Sequence, residues 1–467
     1  MDASRRSPPA DTGAAASLHA ALKLALAGAR AGGERVALAL SGGRDSVALL
    51  DVAASVCASM GVELVALHVH HGLSAHADEW AAFSARAAGA RGIAFAQQRV
   101  HLQAAPPQGI EAAARDARYA ALAALAKAAG ARMVLLAHHQ DDQAETLLLQ
   151  LLRGAGPRGL AAMAPMHEAN GIIWLRPWLD VPRALIEAYG RDRALHHVED
   201  DSNVDTRYRR NALRTQVVPA LRSLAPGYPG TLARAAAHQA EAATLLHDLA
   251  RIDAAPHYDG HSLARAALCE LAPERARNVL RWFLHERGLA PPSASRLAAL
   301  FHQLRNARAG AAVRLCHAGR EIGLYRERIH AHLPAPAGYE AHWAGGAPLR
   351  LPHGELHAVP AAGGPVDLDR LFAAGVVVRS RSGGERLRPR PDSPTRALKE
   401  VLREAALAPW DRAAVPLVFA GGTLAVVPGV AVDAAFHAAA GARSGALLWH
   451  PHPGAVPPHV AHGGPLG

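Results

Sequence analysis

The apolar run Val36-Ala37-Leu38-Ala39-Leu40 passes directly into Ser41-Gly42-Gly43-Arg44-Asp45-Ser46 and then into Val47-Ala48-Leu49-Leu50-Asp51-Val52-Ala53-Ala54. The first segment reads as a buried strand and the last as a helix. A strand joined to a helix by a short Gly/Ser turn is the opening of a β-α-β unit, which points to a parallel sheet covered by helices. The turn also carries the parts of an anion site. Its glycines let the backbone approach a ligand, its hydroxyls add donors, and the free N–H groups and positive dipole end of the helix favour phosphate. It lacks the lysine of the Gly-x-x-x-x-Gly-Lys-Ser/Thr loop and is shorter, so it is a different phosphate cradle.

The hexapeptide resembles the pyrophosphate loop of the N-type ATP pyrophosphatase superfamily. Members of that superfamily cut ATP between the α and β phosphates and usually activate a substrate carbonyl by adenylation. The resemblance implies ATP contacts from Ser41, Gly42, Gly43, Arg44, Asp45 and Ser46.

The strand–helix alternation continues through Glu63–Val69, Ile93–Arg99 and Met133–Ala137, so residues 33–222 are expected to form an α/β catalytic domain around a parallel, Rossmann-like sheet. Residues 1–32 read as a partly disordered leader that includes an Ala/Leu helix. Residues 223–333 are Ala/Leu/Arg-rich with helical spacing and read as a helical domain. A Pro/Gly/His-rich stretch, 334–365, reads as a linker or irregular strands. Residues 366–450 mix the runs Val376–Val378, Leu417–Phe419 and Leu424–Val427 with one helix, Thr395–Ala406, which suggests a small α+β domain. Residues 451–467 read as a flexible tail.

At 467 residues, two or three domains are expected. No stretch reaches the ~18 uninterrupted apolar residues of a membrane span, and the N-terminus lacks the apolar segment of a signal peptide. Cys57, Cys269 and Cys316 are far apart and form neither a disulfide framework nor a metal motif, which fits a cytoplasmic protein that has no membrane anchor. The net charge of +10 suggests a polyanionic partner such as nucleic acid. Arginine supplies nearly all of it, with Lys23, Lys127 and Lys399 the only lysines, so compositional bias is an equal account.

Three clusters carry further chemistry. The second strand ends at His70-His71, at the carboxyl edge where ligands bind in such sheets, so both could line the nucleotide pocket or simply be solvated. The fourth leads into His138-His139-Gln140-Asp141-Asp142-Gln143-Ala144-Glu145. Asp142 and Glu145 share a helix face near the phosphates and suit Mg²⁺, which takes few carboxylates and keeps water and phosphate oxygens as its other ligands. Helix capping by Asp141 or Asp142 is the plainer account of one of them. Arg115, four residues after Glu111, either pairs with that glutamate or grips phosphate.

These segments occur in a specific order: the loop, His-Val-His-His-Gly-Leu at 68–73, Glu-Ala-Ala-Ala-Arg at 111–115 and the 138–146 cluster. Leu-Leu-Arg-Gly-Ala-Gly at 151–156, Arg-Pro-Trp-Leu at 176–179, Glu-Asp-Asp-Ser-Asn at 199–203 and Arg-Arg-Asn-Ala-Leu-Arg at 209–214 follow. Gly383-Gly384-Glu385-Arg386, Leu398-Lys399-Glu400 and Pro409-Trp410-Asp411-Arg412 come last. Together they resemble the tRNA(Ile)-lysidine synthetase family over most of residues 34–435. That resemblance implies ATP-dependent ligation of L-lysine to C2 of the wobble cytidine of the CAU-anticodon isoleucine tRNA, through an adenylated cytidine, giving lysidine, AMP and pyrophosphate. It implies catalytic roles for Asp45, Arg115, Asp142 and Glu145. Asp45, Asp142 and Glu145 become candidates for Mg²⁺ or for the lysine ammonium, and Arg115 and Arg210 for phosphate or the lysine carboxylate. Arg379, Arg381, Arg386, Arg388, Arg390, Lys399 and Arg403 become a tRNA-binding face. A homodimer is compatible with this reading. The alternatives are a tRNA 2-thiolation enzyme, for which the cysteines are poorly placed, a catalytically dead RNA-binding protein, and a small-molecule synthetase of the same superfamily, which would not need the basic C-terminal segment.

Overall fold

Strand β1 (Arg35–Ala39) lies inside a six-stranded sheet of order β3-β2-β1-β4-β6-β5. Its neighbours are β2 (Glu63–His70) and β4 (Met133–Leu135), both parallel to it. The computed structural model describes residues 13–29, 35–70, 72, 76–100, 110–199, 209–308, 313–439 and 441–452, with only the backbone of 110–112. The chain divides into two compact units, Met1–Leu245 and Leu246–Gly467.

In the first unit, β3 (Ala94–Arg99) pairs parallel with β2, and β6 (Ile172–Leu175) pairs parallel with β4. Only β5 (Met166–Ala169) runs antiparallel, at the edge beyond β6. The central strands are buried on both sides, which is why they read as unbroken apolar runs rather than alternating ones. One face is covered by α1 (Gly13–Gly28), α2 (Arg44–Met60) and α7 (Arg183–Asp192), whose core includes Leu18, Leu38, Leu49, Leu50, Trp178 and Ile186. Helix α3 (Ala77–Gly89) joins the same core through Ala88. The other face is covered by α4 (Ile110–Ala128) through Ala121, Leu122 and Ala126 against Val65, Val134 and Trp174. Helices α5 (Gln140–Leu151) and α6 (Pro157–Leu160) follow β4. A helical return comprises α8 (Arg209–Ala212), a π-helical turn at Leu213–Val217 and α9 (Val218–Leu224), and α10 (Tyr228–Ala254) comes next.

The expected leader needs correction. Residues 13–28 form α1, and Leu18, Leu22 and Leu26 are fully buried in the sheet's core. The indole N–H of Trp178 donates to Leu18 O at 3.2 Å. Three leucines buried at about 1.5–3 kcal/mol each make this helix part of the catalytic fold.

The second unit begins with β7 (Leu263–Ala264), α11 (Ala266–Glu270), α12 (Pro273–Glu286) and α13 (Ala294–Arg305). It continues into β8 (Arg314–His317), β9 (Arg320–Tyr325) and β10 (Arg328–His332), which join β7 in an antiparallel sheet of order β7-β10-β9-β8. Residues 223–333 therefore combine helices with a four-stranded sheet and are not all-helical. The expected linker 334–365 also needs correction. It contributes β11 (Glu340–Trp343), β12 (Leu349–Leu351) and β13 (Gly354–Pro360), with Trp343, Leu351 and Leu356 buried. Its prolines and glycines sit at strand ends and turns, which hid the short strands between them.

The remaining elements are β14 (Val366–Asp367), α14 (Leu368–Ala373), β15 (Val376–Arg379), β16 (Arg386–Leu387), β17 (Arg396–Ala397), α15 (Leu398–Glu404) and α16 (Pro409–Ala414). Strands β18 (Leu417–Ala420), β19 (Thr423–Val427), β20 (Ala431–Val432) and β21 (Ser444–Pro451) complete the fold. They build a five-stranded sheet, β11-β15-β18-β19-β20, and a four-stranded one, β12-β13-β21-β14. No helix among the described residues is long and apolar enough to cross a membrane.

Candidate active site

The loop after β1 is closed by its own hydroxyls. Ser46 Oγ donates to Gly43 O at 2.8 Å and lies 3.0 Å from Ser41 Oγ. Gly42 has φ +87°, and a Cβ there would lie 2.9 Å from Val198 Cγ2 and 3.2 Å from Ser84 Oγ. Its carbonyl accepts the Val198 N–H at 3.0 Å. Gly43 caps α2 in an extended conformation without a side-chain cap, so the first-turn amides of a 17-residue helix face outward from the loop. Arg44 turns aside to Glu187 on α7, with Nη1–Oε1 at 3.0 Å. Leu40, just before the loop, accepts a 2.8 Å hydrogen bond at its carbonyl from His68 Nδ1. His68 is thus the β2 residue that fixes the loop, a role its alternation along the strand did not reveal.

Two consecutive histidines follow β4 and point to different neighbours. His139 Nε2 is 3.6 Å from Asp45 Oδ2 and 3.4 Å from Asp142 Oδ2. Burial would lower the His139 pKa, but its hydrogen bond to Asp45 and the charges of Asp142 and Asp45 hold it above the ordinary value. Burial would likewise raise Asp45, but His139 and Arg44 hold it below the usual carboxylate range. His138 instead feels Arg176, Arg210 and Arg115. Burial pushes its imidazole down to about 3 against the opposing charge of Asp142, the three arginines adding to the drop, so it is neutral.

The acidic pair Asp142 and Glu145 is brought together on α5, as its spacing requires, and both residues are buried. Asp142 also caps the helix by accepting the His139 N–H at 3.1 Å. Two arginines from the helical return close on the pair. Arg210 reaches Glu145 Oε2 and Asp142 Oδ1, each at 2.7 Å, and Arg214 reaches the same carboxylates at 2.6 and 3.1 Å. Burial raises the Asp142 pKa, but His139, Arg210 and the capping amide together hold it down at about 2.

This donor set tests the expected metal. All four oxygens of Asp142 and Glu145 face a guanidinium or the His139 amide and ring, so a cation there would have to displace both arginines. Asp45 fits better. Its Oδ1 is buried and accepts no hydrogen bond, with Arg44 Nε 3.7 Å away. One carboxylate plus phosphate oxygens is an ordinary Mg²⁺ environment. Among the described residues no group of three His, Cys, Asp or Glu forms a cage.

Other expected residues are placed less centrally. His70 Nε2 is 3.0 Å from Asp78 Oδ1, which Arg99 also engages. It lines a cavity of about 520 Å³ with Phe95, Gln97 and the start of α3. His71 and the Glu111 side chain lie outside the described residues. Arg115 packs its guanidinium 5.0 Å from the Tyr119 ring centroid. In the C-terminal segment Arg379 stacks 4.0 Å over Phe419, Arg381 lies 3.5 Å from Glu385, and Arg386 donates to Thr395 O. These three are partly used in holding the fold. Arg388, Arg390, Lys399 and Arg403 are exposed. The sequence motifs contain His68, His139, Arg176 and Arg214 without giving them a role of their own. The periodicity of 210 and 214 was the one signal that could have found Arg214.

Comparison with known proteins identifies the domains. Residues 16–221 match the PP-loop domain family, 263–330 the TilS substrate binding domain and 376–449 the TilS substrate C-terminal domain. The first match begins inside α1, in keeping with its place in the core. The chain is 42% identical to the tRNA(Ile)-lysidine synthase of Burkholderia pseudomallei over 461 residues, covering 89% of this chain and 93% of that protein. It is 45% identical to that of Ralstonia nicotianae over 420 residues, covering 85% and 89%. It is 40% identical to that of Nitrosomonas europaea over 428 residues, covering 90% and 92%.

Proposed function

Since the chain belongs to the tRNA(Ile)-lysidine synthase family, we propose that it uses ATP to join L-lysine to C2 of the wobble cytidine of the CAU-anticodon isoleucine tRNA. The observation that carries this reading is the meeting of the phosphate loop, Asp45 and His139 with the Asp142–Glu145 pair at one sheet edge. The loop amides and the Ser41 and Ser46 hydroxyls hold the ATP phosphates. The C2 carbonyl oxygen of cytosine attacks the α phosphate and pyrophosphate leaves. An amine of lysine then attacks C2, loses a proton, and AMP departs with the C2 oxygen.

Mg²⁺ bound at Asp45 would neutralise charge on the departing pyrophosphate. The protein's own residues do the rest. His139, whose protonated form Asp45 and Asp142 favour, steadies both carboxylates beside the phosphates. Asp142 and Glu145 already hold two guanidiniums, and the same oxygens suit a lysine ammonium that displaces one of them. A displaced Arg210 or Arg214 is then free for the lysine carboxylate, which arginine grips through paired donors. Arg388, Arg390, Lys399 and Arg403 offer exposed positive charge to the tRNA backbone.

The test is one reaction with purified protein, ATP, Mg²⁺, labelled L-lysine and the CAU isoleucine tRNA transcript. The elongator methionine tRNA with the same anticodon is the control. Lysine incorporated only into the isoleucine tRNA, with AMP and pyrophosphate released, supports the proposal. ATP cleavage without lysine transfer moves the reading to another superfamily member.

A further inference from the structure

We propose that Tyr119 and the three arginines around it, Arg115, Arg118 and Arg176, form a second anion site that holds a phosphodiester of the RNA substrate beside the reacting base. This rests on the tRNA-modifying reading above. The site is built around one ring. Arg115 Nη2 donates to Tyr119 Oη at 3.4 Å, with its guanidinium 5.0 Å from the ring centroid. The Arg118 guanidinium lies 5.9 Å from the same centroid. Arg176 is close enough for its charge and the Tyr119 hydroxyl to interact. The ring itself is braced against buried Trp174, 4.7 Å away at 53°.

No carboxylate among the described residues balances the charges here. Among the described residues, none of these three arginines forms an ion pair with a carboxylate. Arg176 is 5% exposed, and its Nη1 is spent on Ala164 O and His167 Nδ1 at 2.8 and 3.2 Å. Its Nε is buried with no hydrogen-bond partner. Guanidinium groups keep their charge even in such surroundings. The charges of Arg115 and Arg210 both reach Arg118 as well. Like charges gathered at one ring repel, and an anion relieves them.

Placement separates this anion from the ATP phosphates. The loop opens α2, which packs on one face of the sheet, whereas Tyr119 lies on α4, which packs on the other. His139 turns to Asp45 on the loop side, and neutral His138 lies on the arginine side. Exposure is graded along the cluster: Arg115 is exposed, Arg118 is half-buried and Arg176 is buried. Such a track from rim to interior fits a nucleotide splayed out of its strand, whose backbone follows the base inward. A single carboxylate does not need three guanidiniums, but a phosphodiester strand uses them.

The experiment compares wild type with Arg118→Gln, Arg118→Lys and Arg115→Gln. One arm measures binding of the isoleucine anticodon stem-loop RNA by fluorescence anisotropy at several salt concentrations. The other measures KM for tRNA, ATP and lysine, with thermal melting as the folding control. The expected result for Arg118→Gln is a Kd and a tRNA KM raised on the order of tenfold, with ATP and lysine KM unchanged. The slope of log K against log salt should fall by about 0.7 for each lost contact. Arg118→Lys should restore the slope. RNA binding and slope equal to wild type in a folded Arg118→Gln protein overturn the proposal. So does a rise confined to the ATP or lysine KM, which assigns the anion to polyphosphate or to the amino acid. The binding arm needs no turnover, so a wild type that binds RNA without transferring lysine defeats the functional reading while this site is still judged. A wild type that does not bind the RNA overturns both.

Discussion

His139 places its Nε2 3.6 Å from Asp45 Oδ2 and so ties the phosphate loop after β1 to the acidic helix after β4. The same nitrogen lies 3.4 Å from Asp142 Oδ2, so one ring spans two carboxylates that are nearly a hundred residues apart in sequence. Two anions held beside a phosphate site need that positive charge, and its loss should be felt at both.

Asp45, on the first turn of the helix that follows the loop, keeps one buried oxygen without a hydrogen bond. Asp45→Asn should lower the rate of adenylation by ~100-fold or more, the scale of losing a charge that organises a phosphoryl-transfer site. tRNA affinity should stay near wild type. Pyrophosphate release in single-turnover reactions, set beside a tRNA binding isotherm, checks both halves. Full turnover by this variant would defeat the assignment.

Glu145 is 4% exposed and answers two guanidiniums. Glu145→Ala leaves Arg210 and Arg214 with only Asp142, and breaking one side of a buried pair costs about 3–5 kcal/mol. We expect a lower urea midpoint, together with a raised lysine KM and lost activity. Arg214→Gln, which removes one cation and keeps both acids, should destabilise less. Equal urea midpoints for Glu145→Ala and wild type would show that the clamp does not hold this region together.

Gly42 combines φ +87° with close neighbours on Val198 and Ser84. Gly42→Ala strains the backbone and moves the loop at once, at a cost of roughly 1–3 kcal/mol. The expected outcome is weaker ATP binding by isothermal calorimetry with a small fall in melting temperature. ATP affinity equal to wild type would mean that the loop tolerates the shift.

Asp411 gives a pH dependence. Burial pushes its carboxyl up to about 7, and the Ala408 amide only partly offsets this. The folded value stands above the unfolded one of about 3.9, so the folded protein binds the extra proton between those limits. This group's contribution therefore favours folding at low pH and is lost as pH rises from about 4 through 7, by roughly 4 kcal/mol at most. Asp411→Asn should raise the melting temperature at pH 8 and leave it little changed at pH 5, as differential scanning calorimetry would reveal. An equal gain at both pH values would point to packing instead.

Asp411 sits beside Trp410, whose ring stacks on His332 with centroids 4.0 Å apart and planes at 11°. A Cβ on Gly323 would lie 2.6 Å from the Trp410 ring. This contact joins α16 to the β9–β10 hairpin. The sequence offered Pro409-Trp410-Asp411-Arg412 only as a motif, because nothing local says which distant strand a tryptophan will cover.

The parallel sheet was legible because its strands are buried on both faces. Val36–Leu40 and Met133–Ala137 therefore appear as unbroken apolar runs, and they became β1 and β4 within two residues at either end. The expected helix Thr395–Ala406 shortened to Leu398–Glu404, since Arg396 and Ala397 pair with β16 instead. The strands β11 to β13 were illegible because each is short and bounded by turn residues, so their pairing depends on partners as distant as β21.

The sequence by itself determined the phosphate loop and the acidic helix, because local chemistry decides both. A Gly/Ser turn before a helix makes an anion cradle, and residues 142 and 145 must share a face. Only the tertiary structure decided what those groups meet. Arg210 lies 65 residues from Glu145 in sequence, yet its Nε is 2.7 Å from that carboxylate. The loop's histidine partners and the arginines around Tyr119 are likewise set by which strand ends the sheet order brings to one edge. Sequence spacing fixes neighbours along an element, whereas long-range burial chooses neighbours between elements, and in this protein the charges gathered around Asp142 and Glu145 belong to the second kind.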